Sequence, residues 1–134
     1  MEIELKRVLS EVNMKKILGQ DIYNVSISAS GGQEDISYCV KRKEVKRSMA
    51  DFEQKVIKKK IRSKMPSGYK LVVTNDDSQY QQFRCSIESK KRHITLVYAY
   101  GKCELSAVSK CLLALITGVD IGTEIEYDSR SRQS

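Results

Sequence analysis

Ser30-Gly31-Gly32-Gln33 lies between two stretches that alternate with period two, and no other feature of the chain constrains its fold so tightly. In 22–29, Tyr23, Val25, Ile27 and Ala29 fall on one side, and Asn24, Ser26 and Ser28 on the other. In 34–42, Ile36, Tyr38 and Val40 alternate with their neighbours in the same way. This pattern marks a strand with one buried face. A Gly-Gly pair supplies the positive φ that a tight antiparallel turn requires. An early hairpin is therefore expected.

Helical spacing flanks it. Leu5, Val8, Leu9 and Val12 form an apolar stripe that predicts one helix over 2–18, stopped by Gly19. Ser48 with Asp51 three residues on is an acidic variant of the capping pattern. It opens a second helix that runs to Met65, where Pro66-Ser67-Gly68 ends it. Strands are predicted at 69–74, 80–88 and 93–100, with a turn at 75–78 and a basic turn at 89–92. Phe83, Cys85 and Ile87 share one face of the second of these strands. Ile94, Leu96, Tyr98 and Tyr100 share one face of the third, read as the face turned to the core. Leu105, Val108, Leu112 and Leu115 predict the most buried helix, 104–117, ended by Gly118, with a short strand within Ile121–Tyr127. The fold class is α+β: an antiparallel sheet of about five strands with three helices, in the order αββ–αβββα(β). At 134 residues one domain is the default. It is assigned to 1–128, with 129–134 as a flexible polar tail.

The four cysteines, Cys39, Cys85, Cys103 and Cys111, contain no C-x-x-C, and a single histidine cannot complete a zinc set from them. They read as reduced thiols in a reducing compartment, which places the protein inside the cell, in cytoplasm or nucleus. The longest apolar run, Cys111–Ile116, falls far short of the ~20 residues of a membrane helix, so no membrane association is expected.

Charge is concentrated in one place. Residues 41–64 hold eleven Lys and Arg against Glu44, Asp51 and Glu53, while the whole chain carries 24 against 17. The remaining residues are close to neutral, with 13 basic and 14 acidic side chains. On a helical wheel Met49, Phe52, Val56, Ile57 and Ile61 share one arc. Lys55, Lys58, Lys59 and Arg62 share the opposite arc as a ridge facing solvent. Together with Lys41, Arg42, Lys43, Lys46 and Arg47, this ridge is the candidate site for a nucleic-acid backbone or another polyanion. The plain alternative is a solvated face. Against it stand the scarcity of acidic residues in the ridge and the neutrality of the rest of the chain. Lys41-Arg42 and Lys58-Lys59-Lys60 also fit the spacing of a bipartite nuclear signal.

Residues 47–117, as helix, three strands and helix, resemble a double-stranded RNA-binding domain. Phe83 stands where that family has an aromatic, and Ala107, Cys111, Leu112 and Leu115 resemble its small-apolar helix pattern. The resemblance implies RNA contacts at two places where this chain departs. Gln79 stands at the loop histidine, and Glu104–Ser109 holds no Lys or Arg where the family has a basic cluster. A domain departing in this way is expected to bind protein. A second resemblance is to restriction-type nucleases. Asp77, Glu88-Ser89-Lys90 and Glu53 resemble their carboxylate and E-x-K set, which implies a divalent metal on the carboxylates and Lys90 orienting a water. His93 lacks a neighbouring nucleophile motif and reads as a surface residue. No dinucleotide, P-loop or G-x-S-x-G motif is present, so no cofactor is expected.

The reading is a non-enzymatic module that contacts nucleic-acid phosphates, RNA or DNA, through the basic helix at 48–64. The alternative is a protein-interaction adaptor, including a homodimer, whose basic face meets an acidic partner. A metal-dependent nuclease is the third reading.

Overall fold

The structure is a computed structural model that describes residues 2–75, 83–92, 94–118 and 125–126. The architecture is α+β. Helices α1 (Glu2–Val8) and α2 (Glu11–Leu18) precede strands β1 (Ile22–Ser30), β2 (Gln33–Val40) and β3 (Lys43–Ser48). A central helix follows over 49–64, made of α3 (Met49–Phe52), one π-helical turn (Glu53–Ile57) and α4 (Lys58–Lys64). Then come β4 (Tyr69–Asn75), β5 (Phe83–Ser89), β6 (Thr95–Gly101), α5 (Glu104–Thr117) and the two-residue β7 (Ile125–Glu126). The single five-stranded sheet expected from sequence is instead two antiparallel sheets, β1-β2-β3 and β4-β5-β6-β7.

The predicted hairpin is present. Ser30 pairs with Gln33 across Gly31 and Gly32, which take φ of 60° and 79°. Its alternation is broken once. Between Tyr23 and Ser26 the register slips, and Asn24 takes φ 56°. Two β1 residues thus oppose one on β2, a bulge that turns over the strand's inward side. Ile22 and Ile27 are both buried although their parity is opposite, while Tyr23 is open and Val25 half-buried.

Two elements differ from the sequence reading. The first helix is two, because Ser10 caps α2 by accepting a hydrogen bond from the Asn13 N–H at 3.3 Å. The break leaves Leu5, Val8 and Leu9 buried but turns Val12 to solvent, at 63% exposure. The cap at Gly19 is as expected, with φ 66° and its N–H on the Lys15 carbonyl. The second difference is β3, which the sequence reading passed over. Its residues, KEVKRS, include one apolar side chain, and its pairing with β2 turns on Lys41 and Arg42 rather than on glycine.

Core packing centres on α5, buried from Leu105 to Ala114. One side lies on β5 and β6, and α1, α2 and α4 pack around the rest. The close approach to β6 depends on Gly101, where an added Cβ would lie 2.5 Å from the Ala107 nitrogen and 2.9 Å from the Ser106 side chain. Val97 and Ala99 are therefore the buried side of β6. The expectation that Tyr98 and Tyr100 face the core is reversed: Tyr100 is open, Tyr98 half-buried, and their rings meet edge to face at 5.6 Å with Arg84 4.6 Å from the Tyr98 centroid. On the other side of the molecule, Tyr38 of β2 meets Phe52 of α3 edge to face at 6.3 Å, seating the first sheet on the central helix.

A buried ion pair crosses this packing. Lys110, 1% exposed, lies in the middle of α5 and donates to Glu4 Oε1 at 2.8 Å and to the Tyr100 carbonyl at 2.9 Å. Glu4 Oε2 accepts from the Lys102 backbone N–H at 2.9 Å. The first helix, the end of β6 and α5 are thereby held at one point.

Among the described residues no helix is long and apolar enough to cross a membrane. All four cysteines are free, with Cys85 and Cys111 buried. The hydrogen bond that the Cys85 thiol donates to Cys111, together with burial, pushes that thiol well above its ordinary range. The predicted turn at 76–78, Asp77, Gln79, Tyr80, His93 and the 129–134 tail lie outside the described residues.

Burial pushes the Glu4 carboxyl up, but the Lys110 and Lys102 hydrogen bonds outweigh it and hold it below its ordinary value. A depressed carboxylate contributes stability above the unfolded pKa that is lost as pH falls through the folded one. Urea titrations from neutral pH down through the carboxylate range are expected to show stability falling in the parent and a shallower fall in Glu4→Gln. Lys110→Ala, which leaves Glu4 buried without its cation, is expected to lose about 3–5 kcal/mol at neutral pH. A loss below about 1 kcal/mol, the scale of a surface pair, would show that the pair does not hold the helices.

Candidate nucleic-acid interface

The central helix does not present its cations as a uniform α-helix would. Phe52 and Ile57, five residues apart, are both buried, and Ile61 follows Ile57 at the usual four. The π turn inserts one residue between two apolar stripes so that both face inward. Lys55, Lys59 and Arg62 remain exposed. Lys58 does not. Its ammonium lies 2.9 Å from Glu104 Oε1 and 3.3 Å from Glu53 Oε2, and its side chain is 17% exposed. The expected ridge residue is instead a link between the helix and the start of α5.

The remaining candidates also separate. Lys41 and Arg42 form the two-residue turn between β2 and β3, at φ 52° and 64°. This left-handed conformation disfavours side chains by roughly 1–2 kcal/mol per residue, and Asn-Gly is its usual occupant. The turn thrusts two cations from the end of the sheet, with exposed Lys43 beside them. None of the three makes an ion pair among the described residues. Lys46 pairs opposite Ser37 on the face away from the buried Ile36 and Tyr38, and sits 4.0 Å from Asp35. Arg47 lies opposite Ile36 on the helix side and donates to Asp51 at 2.8 Å. Asp51 also lies 3.1 Å from Lys55, whose side chain stays 71% exposed. Arg47 and Lys55 hold the Asp51 carboxyl below its ordinary range, with the Arg47 hydrogen bond the larger cause. The expected scarcity of acidic partners thus fails at Arg47, Lys55 and Lys58; among the described residues Lys59 and Arg62 make no ion pair.

Tertiary structure supplies what spacing could not. A cavity of about 490 Å³ is lined by Gln20, Asp21, Tyr23, Val40, Lys41 and Arg42. A second, of about 330 Å³, is lined by Leu18, Gln20, Lys55, Val56, Lys59, Lys60 and Ser63. Gln20 belongs to both walls. The Lys41–Arg42 turn and the Lys55, Lys59 and Lys60 side chains therefore flank one short connection, the link from α2 to β1. Asp21 is the acidic group there, and Lys15 lies 3.6 Å from it. Gln20, Tyr23, Lys60 and Ser63 join the surface although sequence reading did not select them. Lys60 stood in the sequence only as part of a charge run, and Tyr23 only as one of a strand's apolar set. A separate basic turn, Lys90-Lys91-Arg92, lies beside the end of the central helix through the Lys90 N–H on the Gly68 carbonyl at 2.8 Å.

The two described carboxylates of the nuclease-like pattern, Glu53 and Glu88, are engaged elsewhere. Glu88 accepts from Ser86 at 2.6 Å and lies 3.6 Å from Arg84. Glu53 belongs to the Lys58–Glu104 group. Among the described residues no three His, Cys, Asp or Glu side chains form a group suited to a metal ion.

Two carboxylates share Lys58, and their environments push them apart. Burial, then the nearby Glu104, raises the Glu53 carboxyl. The Lys58 hydrogen bond lowers Glu104. Burial opposes charge on Lys58, but the two carboxylates outweigh it and hold the ammonium above its ordinary value. Folding thus gains from ionised Glu104 above the ordinary carboxylate range, and loses from ionised Glu53 once pH exceeds its raised value. At neutral pH Glu53→Gln is expected to raise the thermal midpoint and Glu104→Gln to lower it. Thermal melts of the two variants check this; the reverse order would show that Glu104 is the unfavourable charge.

The order helix, three antiparallel strands and helix expected over 47–117 is present, but α5, where the double-stranded RNA-binding resemblance would place basic contacts, is buried, and its Lys110 is committed to Glu4. No family model, no curated protein and no solved structure matches the chain.

Proposed function

We propose that this chain is a non-enzymatic binding module that holds a nucleic-acid phosphate backbone. The surface is the one around Gln20, made by Lys41, Arg42 and Lys43 at the sheet end and by Lys55, Lys59, Lys60 and Arg62 on the central helix. The observation that carries the reading is the convergence of two basic segments, distant in sequence, on one connection. Among the described residues most of these ammonium and guanidinium groups have no carboxylate partner, which supports their availability for phosphates. Strain at Lys41 and Arg42 adds support, because a sequence selected for stability alone would place Asn-Gly there. Lysines at such spacings hold a backbone without reading bases. Lys58 is excluded from the surface, and Lys46 and Arg47 have only a peripheral part in it.

A second reading rests on Ile3 and Val12, which lie open at 78% and 63% on the two N-terminal helices. In that reading the chain pairs with itself or another protein through this end. Sedimentation velocity over a range of concentrations tests it, and Val12→Glu should abolish any dimer seen.

Affinity for labelled nucleic acid is expected to fall linearly on a log–log plot against salt, with a slope of about −0.7 to −0.9 per phosphate contact. Lys41→Glu/Arg42→Glu/Lys59→Glu/Arg62→Glu is expected to abolish binding at physiological salt while remaining folded. Lys58→Gln should bind as the parent does and melt earlier. Equal, feeble binding by parent and quadruple variant would send the function to protein partners.

Replacing the strained turn should separate stability from binding. Lys41→Asn/Arg42→Gly is expected to stabilise the fold by about 1 kcal/mol in urea and to weaken nucleic-acid binding several-fold. A variant both less stable and equally tight would show that the turn serves the fold rather than the ligand.

A further inference from the structure

The sheet end carries an aromatic ring in a position that a phosphate-binding surface alone does not require. Tyr23 pairs with Cys39, so its side chain lies on the face of the first sheet opposite that of the buried Ile36 and Tyr38. It is 37% exposed, and it lines the 490 Å³ cavity with Lys41 and Arg42. The bulge begins at the next residue. Without that slip, Tyr23 and Ile27 would share a side, and Tyr23 would be buried when Ile27 is. Among the described residues, Asn24, Lys41 and Arg42 are the non-glycine residues with positive φ. One adjoins this cavity and two line it. Backbone strain of this kind collects where a ligand is clamped.

The cations and the ring do not share a plane. Lys55, Lys59 and Lys60 lie on the helix side of the sheet, Lys41 and Arg42 at its end, and Tyr23 on its other face. A ligand touching all of them has to turn around the end of the sheet. A duplex, with a persistence length of about 150 base pairs, turns around so short an edge only at a cost in bending energy. A single strand turns there without that cost, and its unstacked bases offer a face to an aromatic ring.

On these grounds we infer that the surface takes single-stranded nucleic acid, with one base stacked on Tyr23 in the cavity beside Lys41 and Arg42 and the following phosphates on Lys55, Lys59 and Lys60. The inference rests on the phosphate-binding reading above and adds to it the strandedness of the ligand and a base-contacting residue.

The test uses the full chain at near-physiological salt. Fluorescence anisotropy is read with labelled oligo-uridylate, oligo-thymidylate and a duplex of matched length, against the parent, Tyr23→Phe, Tyr23→Ala and the quadruple charge reversal. Expected are tighter binding of the single strands than of the duplex and retention by Tyr23→Phe. Tyr23→Ala should lose about ten-fold on single strands, with the salt slope unchanged. Photocrosslinking of an iodouridine strand to the unmodified protein, mapped by mass spectrometry, should mark the peptide containing Tyr23 and needs no variant. Duplex binding equal to or tighter than single-strand binding, an undiminished Tyr23→Ala, or a crosslink confined to other peptides would overturn the inference while leaving the phosphate-binding reading intact. Poly-glutamate competing as well as the single strand would also overturn it, as would binding unaffected by the charge reversal; this last outcome alone removes the underlying reading too.

Discussion

A lysine with 1% exposure in the most apolar helix is the constraint around which the rest of the structure is arranged. Lys110 could not remain charged inside α5 without a counter-ion, because an isolated buried ammonium is strongly disfavoured. The chain brings Glu4 from its other end to meet it, and the Tyr100 carbonyl takes a further ammonium proton. That requirement fixes where α1 lies against α5 and where β6 ends. Once those positions are set, α2 is held by its Ser10 cap, and β1 leaves from Gly19 toward the first sheet. The connection that carries Gln20 is thus placed through a chain of local constraints that begins at this ion pair.

Electrostatics and packing divide the basic segment between them. The segment looks uniform as a string of letters, but four of its cations meet carboxylates: Lys58 joins the central helix to α5, Arg47 and the still exposed Lys55 flank Asp51 beside the helix cap, and Lys46 lies near Asp35. The others gather around one surface or continue along the helix. Charge count alone therefore overstates the binding surface, whereas spatial grouping adds to it residues such as Gln20 and Tyr23 that carry no charge.

Much of the fold was legible where a local rule had a single solution. The Gly31-Gly32 hairpin, the Ser48 cap, the Gly19 and Gly118 stops and the extent of α5 all follow from backbone chemistry within a few residues. The failures have a common origin in tertiary choice. In β6 both faces are apolar, and the larger set, with Leu96, Tyr98 and Tyr100, looked like the core. The helix above it demands the smaller set, Val97, Ala99 and Gly101, because it packs so near. β3 forms on the strength of β2's free edge, not of its own composition. A 3.6-residue period carried through the helix places Lys58 toward solvent, but the π turn does not obey that period. Of the candidate site, the two basic segments were legible; their meeting at Gln20 was not, since neither segment encodes the position of the other.

The π turn has a consequence for how this chain can change. It works as a phase shifter, advancing the inward stripe by one residue between Phe52 and Ile57. Replacement of the exposed Gln54 leaves that shift intact. Its removal would leave Phe52 and Ile57 four residues apart, and a regular α-helix would then hold Phe52, Ile57 and Ile61 on one inward face. A further inserted residue, by contrast, would rotate everything after it by about 100° relative to what precedes. The turn thus absorbs one surplus residue: this stretch of helix can shorten by that residue with Lys59 and Arg62 kept on their surface, but it cannot lengthen without moving them.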